Sequence, residues 1–191
     1  NHDHSRFLTR TSHKVGRIGT MGPEAANEGV NKAVFREAVV MQMTWIGAPT
    51  IYYGDEAGVC GFTDPDSRRT YPWGHEDLEM IAFHKDIIRL RKENDELRTG
   101  SLKYVDSDYN YISYGRFHNK GQCLILINNN DHPITKRIFV WELNIPKNCK
   151  MKVLLQTDDS GYHLNGQEYE VKAGKMTIEL PKNCAVILKH M

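Results

Sequence analysis

The spacing of apolar residues changes near residue 100. Before that point, apolar positions such as Val34, Ala38, Met41 and Trp45 recur at helical spacing and predict a helix that begins at Asn31, a favourable N-cap. A second amphipathic helix is predicted from Glu76 to Lys92, with acids in its first turn and bases in its last, as the helix dipole favours. Between the helices, the β-prone run 49–53 predicts a strand buried on both faces, as in a parallel sheet. Loop, helix and strand in this order are typical of an α/β fold.

Beyond residue 100, short apolar runs alternate with turn signals such as Asn165-Gly166. Closely spaced short strands indicate an antiparallel sandwich. The predicted strands are 102–105, 109–117, 123–127, 138–141, 151–155, 169–171, 176–180 and 185–188. We place the domain boundary at Thr99-Gly100, which gives an α/β domain over 1–99 and an all-β domain over 100–191.

Charge and composition exclude several classes of partner. The 191 residues hold 25 Lys and Arg against 24 Asp and Glu, so neither nucleic acid nor an anionic membrane is expected as the main partner. No apolar run reaches the length of a membrane span. The four cysteines lack metal-ligand spacing, and Cys123 and Cys184 lie in apolar runs, so buried free thiols are expected. This pattern favours the cytoplasm, with secretion left open.

Two polar segments could carry chemistry, and both lie before residue 100. One is 1–6, and the other runs from Tyr52 to Trp73 and combines carboxylates, arginines and aromatic rings. Such a mixture suits sugars, since rings cover the apolar faces of a pyranose while charged groups bind its hydroxyls. The alternative is purely structural: Asp55 and Glu56 hold neighbouring loops, and Arg68 and Arg69 form surface ion pairs.

These segments resemble the α-amylase family of glycoside hydrolases. Asn1-His2-Asp3 with Ser5-Arg6 is similar to the family's motif after the seventh barrel strand, and 47–56 resembles its eighth strand and following turn. The run 64–69 with Pro72-Trp73 resembles the neopullulanase, cyclomaltodextrinase and maltogenic amylase branch. The resemblance covers the whole chain, and it implies the last part of a (β/α)8 barrel followed by a β-sandwich.

The resemblance assigns roles to four residues. Asp3 matches the carboxylate that stabilises the transition state, and His2 matches a histidine that binds the same sugar ring. Asp64 and Arg68 match a pair that contacts the next glucose. Glu56 and Arg6 are expected to organise loops without touching substrate. The expected ligand is an α-glucan such as a maltodextrin, a cyclodextrin or pullulan. No cofactor or metal is evident in these residues, and the resemblance leaves calcium open for other parts of such enzymes.

The resemblance also implies that two carboxyl groups are absent. A retaining glycosidase needs a nucleophile and an acid/base ~5 Å apart, and in this family both follow earlier barrel strands. We therefore expect a C-terminal fragment that is inactive alone. An incomplete barrel would leave a strand edge and an apolar helix face uncovered, which predicts self-association.

Two other interpretations remain open. The chain could be a non-catalytic carbohydrate-binding module based on the sandwich, although no row of exposed aromatic residues is evident and Trp141 is expected in the core. It could also belong to an inactive scaffold relative. The intact His2-Asp3 and Asp64-Arg68 sets argue against a scaffold, because an inactive site has no physical need for them.

Overall fold

The computed structural model describes residues 2–191. Two compact units divide the chain: the loop unit, up to Phe35 together with Thr50–Asp86, and the sandwich unit, Arg36–Pro49 together with Ile87–Met191. The helices are α1 Phe7–Arg10, α2 Ile18–Met21, α3 Lys32–Thr44, α4 Leu78–Glu93 and α5 Asp95–Thr99. The strands are β1 Ser101–Asp108, β2 Tyr111–His118, β3 Gly121–Asn128, β4 Ile134–Phe139, β5 Cys149–Asp158, β6 Gly161–Leu164, β7 Glu168–Val171, β8 Lys175–Leu180 and β9 Cys184–His190.

Both long helices begin close to where the sequence predicts them. The Asn31 Oδ1 accepts hydrogen bonds from the backbone N–H groups of Ala33 (2.9 Å) and Val34 (3.2 Å), so Asn31 caps α3 as expected. At the start of α4, the Asp77 Oδ1 accepts from the Met80 N–H at 3.1 Å. The predicted apolar face of α4, with Met80 and Phe83 near its start, is buried.

The predicted strand over residues 49–53 is wrong. These residues form no β-ladder, and Ile51 and Tyr52 are only half-buried. A parallel strand exists through hydrogen bonds to neighbouring strands, and no other part of residues 2–191 supplies one beside this run. The segment ends instead in a turn at Gly54, which adopts φ +85°, followed by the 3-10 turn Asp55–Ala57. The loop expected over 7–30 also contains α1, α2 and the 3-10 turn Glu24–Asn27.

The predicted sandwich is confirmed. A seven-stranded antiparallel sheet has the order β1-β2-β3-β9-β5-β6, with β7 also paired to β5, and a second sheet consists of β4 and β8. Burial alternates along β8, where Met176, Ile178 and Leu180 are buried and Thr177 and Glu179 are exposed. These side chains join Leu124, Leu126, Val186 and Leu188 of the large sheet in one apolar cluster. The core therefore lies between the two sheets.

The strand β3 is buried on both faces, which two sheets alone do not explain. In the sandwich unit, residues from Arg36–Pro49 and Ile87–Gly100 hydrogen-bond to the large sheet. Arg116 on β2 donates to the carbonyls of Thr44 (2.6 Å), Leu97 (3.0 Å) and Gly100 (2.9 Å). The Tyr114 hydroxyl hydrogen-bonds the Thr44 hydroxyl at 2.6 Å. A helical layer thus covers the second face of the sheet, and Arg116 satisfies backbone carbonyls where helices end.

The expectation that Trp141 lies in the core is wrong. Strand β4 covers Ile134–Phe139, so it begins four residues before the predicted run and ends before Trp141. The chain then enters the 3-10 turn Trp141–Leu143, in which Leu143 is buried and Trp141 is 53% exposed. The turn shifts the alternation of buried and exposed positions, so the apolar neighbours of Trp141 do not carry it inward.

All four cysteines are free, and three of them (Cys60, Cys123 and Cys184) are buried, as expected for two of these. Burial raises the pKa of the Cys60 thiol and raises that of Cys184 further.

Among residues 2–191, no group of three or more His, Cys, Asp or Glu side chains is arranged to hold a metal ion. Within the same residues, no helix has both the length and the apolar character needed to cross a membrane.

Candidate functional site

Two exposed polar pairs lie close together in the loop unit. The His2 Nε2 is 3.1 Å from the Asp3 Oδ1, and the Arg68 Nε is 2.8 Å from the Asp64 Oδ1. The backbone carbonyl of His2 accepts hydrogen bonds from the Ser67 hydroxyl at 2.8 Å and from the Arg68 Nε at 3.5 Å. The four predicted site residues therefore form one cluster, although more than sixty residues separate the two pairs in sequence. Asn1, which completes the predicted motif, lies outside the described residues.

A buried ion pair fixes the loop that carries Asp64 and Arg68. The Asp66 carboxylate accepts from the Arg69 Nε (2.8 Å) and Nη2 (3.0 Å) and from the Phe62 backbone N–H (2.7 Å). Only 1% of the Asp66 side chain is exposed. Gly61 allows this tight turn, because a Cβ at its position would lie 2.5 Å from the Asp66 carbonyl oxygen. Arg69 is partly buried, whereas its neighbour Arg68 is exposed. Arg69 therefore holds the loop through Asp66, and Arg68 remains accessible to a ligand.

Arg6 connects the loop to the turn that follows residue 53. Its Nε donates to the Ser67 carbonyl at 2.8 Å, and its Nη1 donates to the Tyr53 carbonyl at 2.6 Å and to the Asp55 Oδ1 at 2.9 Å. The guanidinium carbon also lies 4.1 Å and 4.8 Å from the ring centroids of Tyr52 and Tyr53. Ser67 in turn hydrogen-bonds the His2 carbonyl. Arg6 therefore links the segments that carry the two polar pairs, which agrees with its predicted organising role.

The carboxylates of the Asp55–Ala57 turn have different surroundings. Burial raises the pKa of Asp55, while the hydrogen bond from Arg6 opposes that shift. Asp55 therefore holds loops together, as the structural alternative predicts. The Glu56 Oε2 is buried and has no hydrogen-bond partner among the described residues. The loop-organising role assigned to Glu56 stays a prediction.

The cluster has the chemistry to bind a polyol. An exposed carboxylate, an imidazole and a guanidinium together can accept from and donate to vicinal hydroxyl groups. Asp64 and Arg68 are about half exposed, so both are accessible to a ligand. Sequence reasoning missed the Asp66–Arg69 pair, since adjacent arginines carry no signal for which one faces inward. It also missed Thr9, whose buried hydroxyl accepts from the Gly61 N–H at 2.8 Å and donates to the Ala26 carbonyl.

No protein-family profile matches the chain. Curated relatives include neopullulanase 2 of Thermoactinomyces vulgaris, 31% identical over 196 residues, and a cyclomaltodextrinase of Thermoanaerobacter pseudethanolicus, 34% identical over 174 residues. These alignments cover 98% and 90% of this chain, but only 28% and 27% of the relatives. An amylopullulanase of Thermoanaerobacter thermohydrosulfuricus is 32% identical over 93% of the chain, which is 13% of that relative. The chain thus spans less than a third of the length of these relatives.

The chain belongs to the α-amylase family. Solved structures of the family have the same fold over this length. An α-amylase from Geobacillus thermoleovorans, complexed with acarbose, superposes with a TM-score of 0.76 over 100% of this chain and 37% of its own, at 23% identity. A cyclomaltodextrinase gives a TM-score of 0.67 at 25% identity and covers 28% of that chain. The family resemblance read from the motifs is confirmed, and the all-β part matches the β-domain of these enzymes.

Proposed function

We propose that the chain is the C-terminal part of a retaining α-glucan hydrolase that acts on maltodextrins, cyclodextrins or pullulan. In this proposal, residues before Gly100 complete a (β/α)8 barrel, and His2, Asp3, Asp64 and Arg68 bind successive glucose units. The observation that carries the proposal is the meeting of the two polar pairs at the His2 carbonyl. Relatives named as neopullulanase and cyclomaltodextrinase support the substrate class.

The roles follow from the chemistry of each group. Asp3 would face the developing positive charge of an oxocarbenium-like transition state, where a carboxylate stabilises and a neutral amide does not. Asp64 and Arg68 would bind the hydroxyls of a neighbouring glucose as acceptor and donor. Since only Asp3 is assigned among the three family carboxylates, we expect glucan binding but no turnover by these 191 residues.

Calorimetric titration with maltoheptaose and measurement of reducing-sugar release test the proposal. We expect weak binding that Asp64→Asn and Arg68→Gln each reduce by roughly tenfold, as for lost charged hydrogen bonds. Asp108→Asn is the matched control, because Asp108 is an exposed acid of the sandwich unit that pairs with Lys136. Equal binding by all three variants would contradict the assignment of the site, and turnover by the chain alone would contradict the role given to Asp3.

A second candidate function rests on Trp141. Trp141 and Phe139 are about half exposed in the sandwich unit, at the end of β4. Exposed rings of this type stack on sugar faces in carbohydrate-binding modules. If Trp141→Ala abolishes maltoheptaose binding while Asp64→Asn leaves it intact, the non-catalytic binding function replaces the first proposal.

A further inference from the structure

An open cavity of about 350 Å3 lies in the loop unit beside the candidate site. Its lining includes Ser5, Arg10, His13, Lys14, Phe62 and Thr63. Ser5 is two residues after Asp3, and Thr63 directly precedes Asp64. The cavity is large enough for a small organic ligand, and none of the roles assigned above uses its side chains.

The charged side chains of this cavity are all basic. Arg10 donates from its Nε to the Ser5 hydroxyl at 2.9 Å and makes no other side-chain hydrogen bond or ion pair within residues 2–191. The imidazole of His13 has no hydrogen-bond partner in the same part of the chain. Lys14 pairs with Glu28 at 2.6 Å, and Glu28 is not a lining residue. Among residues 2–191, Glu28 thus balances the charge of Lys14, whereas Arg10 lines the cavity without a carboxylate partner.

The backbone fixes the positions from which these side chains extend. Helix α1 ends with backbone hydrogen bonds to the carbonyls of Thr9 and Arg10, and His13 adopts φ +58°, a left-handed conformation in which histidine is enriched. On the opposite wall, Phe62 is 1% exposed, and its N–H is bound by Asp66. A Cβ at Gly16 would lie 3.1 Å from the Phe62 ring, so the wall is closely packed. The Phe62 side of the cavity is therefore fixed by packing, while the side chains of Arg10 and His13 are exposed.

We propose that this cavity binds a phosphate group, with Arg10, His13 and Lys14 as its ligands and the hydroxyls of Ser5 and Thr63 as further donors. A guanidinium with unpaired nitrogens presents a planar donor fork that matches phosphate oxygens. The inference does not depend on the proposed glucan function. The cavity adds a site for an anionic group beside the proposed glucan site. A phosphorylated sugar could place its phosphate in the cavity and its ring in the glucan site.

Titration of the 15N-labelled full chain with inorganic phosphate, followed by amide chemical shifts, tests the site. We expect saturable shifts at Ser5, His13 and Thr63, with a Kd on the order of millimolar that rises with ionic strength. Arg10→Gln should weaken binding roughly tenfold, and His13→Gln should weaken it less. Arg17→Gln is the matched control, because it removes one positive charge from an exposed side chain of the same loop that does not line the cavity.

The outcomes separate cleanly. Loss of binding in Arg10→Gln but not in Arg17→Gln supports the phosphate site, and equal affinity in both variants, or shifts that do not saturate, overturns it. Glucose 6-phosphate and glucose are titrated in parallel to identify the source of the phosphate. Tighter binding of glucose 6-phosphate than of inorganic phosphate supports a phosphorylated sugar, and equal affinity supports a free anion in the same cavity. Neither result depends on whether maltoheptaose binds, so the glucan proposal stands or fails separately.

Discussion

The two units of the molecule are stabilised in different ways. In the sandwich unit, antiparallel ladders enclose one cluster of sixteen buried residues. The polar segment of the loop unit instead depends on a few charged side chains that hydrogen-bond to backbone, above all Arg6 and the Asp66–Arg69 pair. Apolar contacts are numerous and individually weak, whereas the directional contacts of the loop unit are few. Loss of one charged side chain should therefore disturb the candidate site while the sandwich keeps its packing.

Arg6→Leu should show the largest effect. It leaves the Tyr53 and Ser67 carbonyls and the Asp55 carboxylate without their donor, and breaking a buried pair of this kind costs about 3–5 kcal/mol. We expect the loop unit to lose hydrogen-exchange protection and maltoheptaose binding to disappear, while β3 and β9 keep their protection. Arg17→Leu, on an exposed side chain of the same unit, is the control. Equal loss of protection in both units would contradict the comparison.

Glu37→Gln should change the pH dependence of the sandwich unit. Burial, together with repulsion from Asp159, raises the pKa of Glu37 to about 9. The folded state therefore keeps a proton that the unfolded carboxyl loses above its ordinary pKa of ~4.3, and the free energy of unfolding falls as pH rises between these values. The slope is at most about 1.4 kcal/mol per pH unit. Glutamine should remove it and stabilise the fold at pH 8, as measured by urea unfolding from pH 5 to 9.

The exposed acid Glu179 supplies the control for that experiment. Glu179→Gln should leave the pH slope unchanged, because it replaces an exposed side chain and keeps the buried Glu37 in place. A slope that persists in Glu37→Gln would show that another buried group carries the pH dependence.

Asn31→Ala should have a moderate effect on the start of α3. The substitution removes the acceptor for the Ala33 and Val34 N–H groups and should cost about 1 kcal/mol. Asn129→Ala is a suitable comparison, since the Asn129 side chain is exposed. Thermal unfolding of the two variants measures the difference, and equal midpoints would mean that the cap contributes nothing.

Trp141→Ala should have the smallest effect on stability, within about 0.5 kcal/mol, because half of this side chain is already in solvent. Leu143→Ala, two residues further along the same turn, removes a fully buried side chain and should cost about 2–5 kcal/mol. Urea unfolding distinguishes the two. A large cost for Trp141→Ala would restore the core position that its apolar neighbours predict.

Local signals account for the parts of the fold that the sequence predicts. The cap at Asn31, the charge asymmetry of α4 and the alternation in β8 each act within a few residues, so they can be read directly. Eight of the strands described between residues 101 and 190 overlap predicted runs, and β6, with its polar Gly-Tyr-His-Leu sequence, was missed. The strand predicted over residues 49–53 is absent for a non-local reason. High β-propensity does not produce a strand where no neighbouring strand is available to pair with it.

The candidate site was predictable as a set of residues but not as an arrangement. Motif resemblance selected His2, Asp3, Asp64 and Arg68, and the structure brings them together through Ser67. Nothing in the sequence separates the inward Arg69 from the outward Arg68, because their side chains are identical and burial depends on the Asp66 turn. The orientation of a side chain that is fixed by long-range hydrogen bonds can be determined only from the folded structure.

The free thiols are distributed over both units, so their reaction rates can report local unfolding in each unit. Cys149 is partly accessible, whereas Cys60 in the loop unit and Cys123 and Cys184 in the sandwich unit are buried with raised pKa values, so they are slow to react as thiolates. A thiol reagent should modify one cysteine at once and the others only as the surrounding structure opens. Cys60 reports on the loop unit, and Cys123 and Cys184 report on the sandwich unit. The order in which these thiols react then gives the relative opening rates of the two units without any added label.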